Sequence, residues 1–253
     1  MAEFTWWRIV PLATNTAAMN MAIDEAVMET VGAGRAPPTI RFYRWKPSAV
    51  SIGCFQSLND EVRTDVATKQ GIDIVRRRTG GGAVYHDYDG EITYSVIGKE
   101  TLFSKGITES YHEICGWIIK GLAHLGIKAE FKPINDIVVN NKKISGNAQT
   151  RRNGVLLQHG TILHDLDVNK MFSVLNVSQE KIADKMIQAV EDRVTRVKDV
   201  VPQATLTDTY NALLKGFTEG KEQRFALLIK DELARAQNLA KKRYSTKTWT
   251  GSR

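Results

Sequence analysis

Residues 76–87 read Arg-Arg-Arg-Thr-Gly-Gly-Gly-Ala-Val-Tyr-His-Asp and join three cations to three consecutive glycines. Glycine lets the backbone approach a ligand closely and adopt positive φ without a steric cost, and arginine offers a fork of donors to phosphate or carboxylate. The segment therefore predicts an anion-binding loop. It lacks the Gly-x-x-x-x-Gly-Lys-Ser/Thr pattern of a Walker loop and the glycine spacing of a dinucleotide fingerprint, so neither of those nucleotide sites is predicted.

Outward from this loop, the hydrophobic periodicity predicts one α+β domain over residues 1–253 with a helical C-terminal third. The Asn140-Asn141 pair between two apolar runs predicts a tight hairpin turn. Strands are expected at 39–45, 49–52, 72–75, 91–97, 129–131, 136–139, 143–147 and 155–163, and helices at 20–30, 59–70, 108–125, 168–175, 178–190, 206–216 and 225–242. The glycine loop therefore lies between two predicted strands.

Composition narrows the classes of protein. The 253 residues are 42% hydrophobic and 25% charged, and no apolar run approaches the roughly 18 residues of a membrane helix, so membrane insertion is not expected. The N-terminus has no basic-then-apolar pattern, which favours a cytoplasmic location. The net charge of +7 favours an acidic partner. The two cysteines show neither metal-ligand spacing nor a disulfide framework.

Three further stretches carry polar residues of a kind used in active sites: Asn135-Asp136, the run from Lys143 to Ala148, and His159-Gly160-Thr161. Each has a plain structural interpretation. A glycine triplet occurs in ordinary loops, lysines after an Asn-Asn turn occur at exposed hairpin ends, and a histidine in an apolar strand is often a hydrogen-bonded core residue.

Taken together, these stretches resemble the lipoate-protein ligases, relatives of the biotin protein ligases that share a core with class II aminoacyl-tRNA synthetases. The resemblance also includes Asn-Met-Ala-Ile-Asp-Glu-Ala at 20–26 and runs from about Asn15 to Trp249. It implies a mixed β-sheet flanked by helices. It also implies an enzyme that activates lipoate with ATP, releases pyrophosphate and passes the acyl group from lipoyl-adenylate to a lysine of an acceptor lipoyl domain, with Mg²⁺ as cofactor.

The resemblance assigns roles to individual residues. Lys143 is the expected catalytic residue, which polarises the acyl carbonyl, and Asp136 is the expected Mg²⁺ ligand, since Mg²⁺ favours oxygen donors. The expected ATP and adenylate contacts are Arg77, Gly82, Ala83, Val84, Tyr85, Asn135, Asp136 and Lys143. The expected lipoyl contacts are Gly81, Lys143, Ala148 and His159. His86 and Asp87 are interpreted as residues that shape the turn, and Arg76 and Arg78 fit a solvent-facing position equally well.

Octanoyltransferases and lipoyl amidotransferases of the same fold are the main alternative. They use a cysteine nucleophile through a thioester and need no ATP. The stretches 145–151 and 157–161 resemble one transferase branch at least as much as the ligases. That branch places its cysteine before the motif lysine, where this chain has Glu-Phe-Lys-Pro-Ile-Asn-Asp at 130–136, and Cys54 and Cys115 are both expected to be structural. The ATP-dependent ligase is therefore predicted.

A non-catalytic acyl-adenylate or nucleic-acid binder is the second alternative, disfavoured by the intact Lys143 and by the lack of an aromatic-basic platform.

The chain stops just after the aromatic-rich segment Tyr244–Trp249, where many ligases continue into a C-terminal accessory domain. That domain is expected to be absent, and a separate accessory subunit is expected to be needed for adenylation. The other expected partner is an acceptor lipoyl-domain protein with an acidic surface, steered by the positive charge.

Overall fold

Two β-sheets and the helices around them make up the structure, a computed structural model that describes residues 4–176 and 192–253. The strands are β1 Trp7–Asn15, β2 Thr39–Trp45, β3 Ala49–Ile52, β4 Asp73–Arg76, β5 Val84–His86, β6 Glu91–Lys99, β7 Glu130–Lys132, β8 Asp136–Val139, β9 Lys142–Arg152, β10 Val155–Leu163 and β11 Gln223–Phe225. The helices are α1 Ala17–Gly32, α2 Leu58–Glu61, α3 Thr64–Lys69, α4 Ile107–Ala123, α5 Val168–Val174, α6 Val197–Val200, α7 Leu206–Thr218, α8 Lys230–Leu239 and α9 Lys247–Thr250.

The larger sheet has eight strands in the order β11-β1-β2-β6-β10-β9-β8-β7, and the smaller has three in the order β4-β3-β5. Both sheets are mixed: β1 pairs in parallel with β2 and β11, and β3 with β4, whereas the other neighbours are antiparallel. The turn between β8 and β9 has positive φ at Asn140 (50°) and Asn141 (62°), the conformation of a type I′ hairpin. The predictions of an α+β fold and of this turn are confirmed.

Alternating side chains of the large sheet enter two different cores. On one face Ile40, Phe42 and Tyr94 pack with residues of α4 and α7, and on the other Tyr43 and Trp45 pack with residues of α1 and α8. A third core lies against the small sheet. The alternation follows from the period of two in a strand, and it places α1 beside the cavity described below.

The C-terminal third departs from its prediction. The prediction of a helix over 225–242 is wrong in its first part, because Gln223–Phe225 forms the edge strand β11, which pairs with β1. The helix α8 begins only at Lys230 and continues as a π-helical turn through Ala240–Tyr244. Its Glu232 is fully buried and accepts a hydrogen bond from each of the two terminal nitrogens of Arg8, both at 2.7 Å. Pairing with a distant strand overrides local helix propensity here.

Three other differences are smaller. The predicted helix 59–70 is two short helices, separated at Val62, whose extended backbone bridges to Leu175. The strand β1 was not predicted, since its pairing with β2 shifts register between Val10 and Ala13 and the apolar alternation is lost. The helix predicted at 178–190 lies outside the described residues. Within the described part of the chain, no helix has the length and apolar character needed to span a membrane.

Candidate active site

The glycine loop and β5 face β9 and β10 across a cavity of about 300 Å³, within the range of small-molecule sites. The predicted site residues that line it are Arg77, Gly81, Gly82, Ala83, Val84, Tyr85, Asn135, Lys143, Ala148 and His159. Asp136 does not line the cavity but contacts Lys143. Residues that are separated by more than eighty positions in sequence are thus brought to one place, because β9 and β10 cross behind the loop.

Arg77 holds the glycine loop together. Its Nε donates to Thr79, one terminal nitrogen donates to the carbonyl and hydroxyl of Ser51, and the other donates to the carbonyls of Gly80 and Gly82. Guanidinium has five N–H donors, and all five have acceptors. Burial lowers the pKa of Arg77 to about 10. In this structure the Arg77 hydrogens bind the loop and Ser51 of β3, and the phosphate contact implied for Arg77 stays a prediction.

The two flanking arginines also bind protein groups. Arg76, interpreted as equally suited to solvent, is 1% exposed and donates to the carbonyls of Gly53, Gln56 and Thr250. Arg78 forms an ion pair with Glu25. The three consecutive cations therefore stabilise the loop and its contact with the C-terminal segment.

His86 is part of a buried hydrogen-bonded series on the same wall. Its Nδ1 lies 2.8 Å from Oε1 of Glu91 and its Nε2 lies 2.8 Å from Oγ of Ser51. Trp45 stacks on the ring with centroids 4.0 Å apart. His86 also lines the cavity.

His159 is fixed from both sides on the opposite wall. Its Nε2 lies 2.7 Å from Oγ1 of Thr79 and its Nδ1 lies 3.4 Å from Oδ2 of Asp24. Burial lowers the pKa of His159 despite the neighbouring carboxylate. Burial by itself raises the pKa of Asp24, but Arg41 and His159 outweigh it and hold this pKa below its usual range. His159 is therefore neutral and Asp24 ionised at neutral pH.

A β-bulge places Lys143 on the cavity side of β9. Val138 pairs with Lys143 and Ile137 with Ser145, which leaves Ile144 as the extra residue. The bulge reverses the normal alternation, and the Lys143 side chain extends over Gly146. A Cβ on Gly146 would lie 2.7 Å from Cε and 2.8 Å from Nζ of Lys143. Two hydrogen bonds anchor the Lys143 backbone: its N–H donates to the carbonyl of Arg193 at 2.7 Å, and the N–H of Thr195 donates to its carbonyl at 2.9 Å.

Lys143 and Asp136 form an ion pair at the open side of the cavity. Nζ of Lys143 lies 2.7 Å from Oδ1 of Asp136, and the two side chains are 41% and 33% exposed. The neighbouring Asn135 is held firmly: its Nδ2 donates to Asn147 O at 2.5 Å, and Asn147 Nδ2 donates to Asn135 O at 2.9 Å. Strand pairing places Asp136 opposite Gly146. The charged pair is thus half-exposed on a rigid support.

Mg²⁺ is often held by one or two carboxylates together with waters and substrate phosphates, so the Mg²⁺ site expected at Asp136 stays a prediction. Within residues 4–176 and 192–253, no three His, Cys, Asp or Glu side chains come together as metal ligands. One carboxylate oxygen of Asp136 binds the Lys143 ammonium. ATP binding, implied by the same resemblance, stays a prediction that no contact in the structure tests.

Neither cysteine lines the cavity. Cys115 is fully buried on α4 as expected, and burial raises the pKa of its thiol to about 12, which suits an inert core residue. Cys54 is partly exposed and its backbone amide bonds to the carbonyl of Thr79.

Several cavity residues were missed by sequence reasoning. These are Met21, Tyr43, Trp45, Ser51, His86, Thr93, Gly146, Asn147, Gly160, Thr161, Leu163, Leu166, Met171 and Val194. Met21, His86, Gly146, Asn147, Gly160 and Thr161 belonged to the quoted motifs and were findable there. The others are ordinary apolar or hydroxyl residues, and no pattern in the sequence distinguishes them from core.

Comparison with solved structures identifies the class of fold. The chain is 32% identical to the bi-partite lipoate protein ligase of Thermoplasma acidophilum, with a TM-score of 0.87 and 98% and 97% of the two chains covered. It is 30% identical to a lipoate-protein ligase A bound with ATP, with a TM-score of 0.84 and 98% and 99% covered. The predicted ligase-like fold is confirmed. Residues 16–218 match the lipoyl protein ligase A/B catalytic domain, and the chain belongs to that family.

Curated relatives correct the predicted activity. The chain is 35% identical to octanoyltransferase LipM of Brevibacillus brevis, with 96% of this chain and 98% of the relative covered. It is 37% identical to octanoyltransferase LipM of Kyrpidia tusciae, with 84% and 86% covered. The prediction of an ATP-dependent lipoate-protein ligase is therefore wrong. The motifs used for it, including the glycine loop and Lys143, belong to a family that holds both activities, and the missing cysteine at 130–136 was given too much weight.

Proposed function

We propose that this protein transfers an octanoyl group from a thioester donor, such as octanoyl-acyl carrier protein, to a lysine of an acceptor lipoyl domain. The observation that carries the proposal is the position of Lys143, a half-exposed ammonium that lines the cavity. Octanoyltransferases at 32–37% identity over most of the chain support this acyl group and reaction.

The cavity suits a medium-length acyl chain. Apolar side chains line much of it, among them Met21, Trp45, Leu163, Leu166 and Met171. Burial of a hydrocarbon chain in such a space contributes about 0.8 kcal/mol per methylene. A chain in the cavity has its carbonyl at the open side, beside Lys143.

Lys143 then acts on the carbonyl. Its ammonium donates a hydrogen bond to the thioester oxygen and stabilises the negative charge that develops when an amine attacks. The acceptor lysine is the proposed nucleophile. Cys115 is excluded by its burial and raised thiol pKa, and Cys54 does not line the cavity, so an acyl-cysteine intermediate has no support in the geometry.

The acceptor is proposed from charge and from similarity. A net charge of +7 attracts an acidic domain and accelerates its encounter, and the similar bi-partite lipoate protein ligase of Thermoplasma acidophilum was described in one structural study with its E2 lipoyl domain. The separate accessory subunit was expected for adenylation. Since the proposed reaction has no adenylation step, that subunit stays a prediction that no observation supports.

The deciding assay offers the purified chain an apo lipoyl domain with either octanoyl-acyl carrier protein or lipoate plus ATP and Mg²⁺. Mass spectrometry of the acceptor is expected to show an added octanoyl group with the first donor, without ATP. Modification only with lipoate and ATP would overturn the proposal. The acceptor with its lysine replaced by glutamine is the control for site-specific transfer.

A further inference from the structure

We propose that Asp136 binds the acceptor's lysine ammonium, and that the arriving ammonium displaces Lys143 from this carboxylate so that Lys143 can move to the acyl carbonyl. The proposal rests on the proposed acyl transfer and assigns a residue for a step that transfer requires. Asp136 is thereby a specificity-determining residue for an amine acceptor.

Exposure distinguishes this pair from the arginine and histidines at the cavity. Arg77, His86 and His159 are 4–8% exposed, and each is already hydrogen-bonded to protein partners. Lys143 and Asp136 are 41% and 33% exposed. A macromolecular acceptor, which has to insert a lysine from solvent, meets this pair before any of the buried groups.

Asp136 has room for a second cation. Among the described residues, the structure shows one side-chain contact to this carboxylate, from Lys143 Nζ to Oδ1 at 2.7 Å. A carboxylate accepts bonds at both oxygens. The support beneath it is rigid, since Asn135 and Asn147 bind each other through two side-chain to backbone bonds and Asp136 pairs with Gly146.

Exchange of cations explains why a catalytic lysine is ion-paired at rest. The ammonium of Lys143 is the only protein cation within salt-bridge distance of Asp136 in the described part of the chain. While paired, its charge is partly neutralised and less available to a carbonyl. A second ammonium on Asp136 preserves an ion pair and releases Lys143, whose flexible stem lies over Gly146, where no Cβ restricts it.

The chemical step balances without another reactant. The bound acceptor ammonium loses one proton to water through the open side, and the neutral amine attacks the thioester carbon. A C–N bond forms and the C–S bond breaks. The departing thiolate takes the second proton of the amine, so the products are an amide, a free thiol and one released proton.

A thermodynamic cycle tests the site separately from the chemistry. The affinity of wild type and Asp136→Asn is measured for the apo lipoyl domain and for the same domain with its lysine replaced by glutamine. Loss of the acceptor lysine is expected to weaken binding to wild type at least about fivefold and to change binding to Asp136→Asn less than twofold. Equal losses with both enzymes would overturn the proposal. The control variant Glu130→Gln removes an exposed carboxylate from the same hairpin. Loss of the acceptor lysine is expected to weaken binding to this variant as much as binding to wild type.

A kinetic ratio separates acceptor binding from mere support of Lys143. Octanoyl transfer is measured to the lipoyl domain and, in a separate reaction, to hydroxylamine, a nucleophile that is neutral at pH 7. In Asp136→Asn the ratio of lysine transfer to hydroxylamine transfer is expected to fall at least about tenfold. An unchanged ratio would mean that Asp136 acts only through Lys143 and would refute the proposal. If wild type transfers octanoate to neither nucleophile, the proposed function fails, and the binding cycle still decides whether Asp136 binds the acceptor lysine.

Discussion

Two cations face the same cavity from opposite walls, and their surroundings differ. Arg77 is 5% exposed, and its five N–H groups are bound to the glycine loop and β3. Lys143 is 41% exposed and contacts one carboxylate. A cation whose donors are all bound to protein stabilises the structure, whereas a cation with one exchangeable partner is available to a substrate. The arginine-rich glycine loop therefore supports the structure, whereas Lys143 is available to act on a substrate.

The largest expected effect comes from removing the available cation. Lys143→Ala is expected to lower octanoyl transfer about 10²–10³-fold, the cost of losing a donor to a developing oxyanion. Because the side chain is half-exposed, the free energy of unfolding should change by less than about 0.5 kcal/mol. Transfer kinetics and urea unfolding measure the two. Lys128→Ala, at an exposed position, is the control. Near-normal transfer by Lys143→Ala would contradict the proposal that Lys143, unlike Arg77, acts on the substrate.

Replacement of the supporting cation should instead reduce stability. Arg77→Lys leaves three donors where five are used, so buried carbonyls lose partners, and unfolding should become easier by roughly 2–4 kcal/mol. Urea titration measures this, with Arg35→Lys at an exposed ion pair as the control. Normal stability combined with lost transfer would show that Arg77 contacts the ligand after all.

A smaller change tests the space over which Lys143 extends. In Gly146→Ala the new methyl group would lie within 2.8 Å of the Lys143 ammonium, and the flexible lysine stem is expected to move aside. Octanoyl transfer should fall about tenfold, a loss of roughly 1.4 kcal/mol, with little loss of stability. Gly116→Ala on α4, where a Cβ meets nothing within 4 Å, is the matched control. Unaltered transfer by Gly146→Ala would contradict the placement of the lysine.

The buried wall should also respond to pH. Burial lowers the pKa of His159, so between its lowered value and about 6.5 the unfolded chain binds a proton that the folded chain does not. The full free energy of unfolding is therefore present above about pH 6.5, and it decreases as the pH falls below this value. His164 shifts in the same direction, so His159→Gln should reduce the slope without abolishing it. Urea unfolding between pH 5 and 8 measures the slope, with the exposed His112→Gln as control.

The smallest expected effect concerns the cysteines. Cys54→Ala should keep octanoyl transfer within about twofold of wild type, because the proposed nucleophile is the acceptor amine and Cys54 does not line the cavity. The acceptor assay measures this directly. Loss of activity in Cys54→Ala, with the protein still folded, would establish a covalent cysteine route and refute direct transfer.

The sequence by itself was sufficient for the family, the α+β class, most strands and part of the cavity lining. Those conclusions depend on local features, namely hydrophobic periodicity, the Asn140-Asn141 turn and motifs whose order along the chain is readable. The choice between ligase and transferase was not readable in the same way, since both activities use the glycine loop and the lysine hairpin.

Only the tertiary structure decided how each cation is used. Arg77 and Lys143 both look like ligand-binding residues in a one-dimensional sequence, because the acceptors that satisfy Arg77 are mostly backbone carbonyls and carry no sequence signal. The bulge at Ile144 reverses the side of β9 that Lys143 occupies, and the β11 pairing overrides a helical pattern. Each of these depends on contacts between distant parts of the chain, which local propensity does not encode.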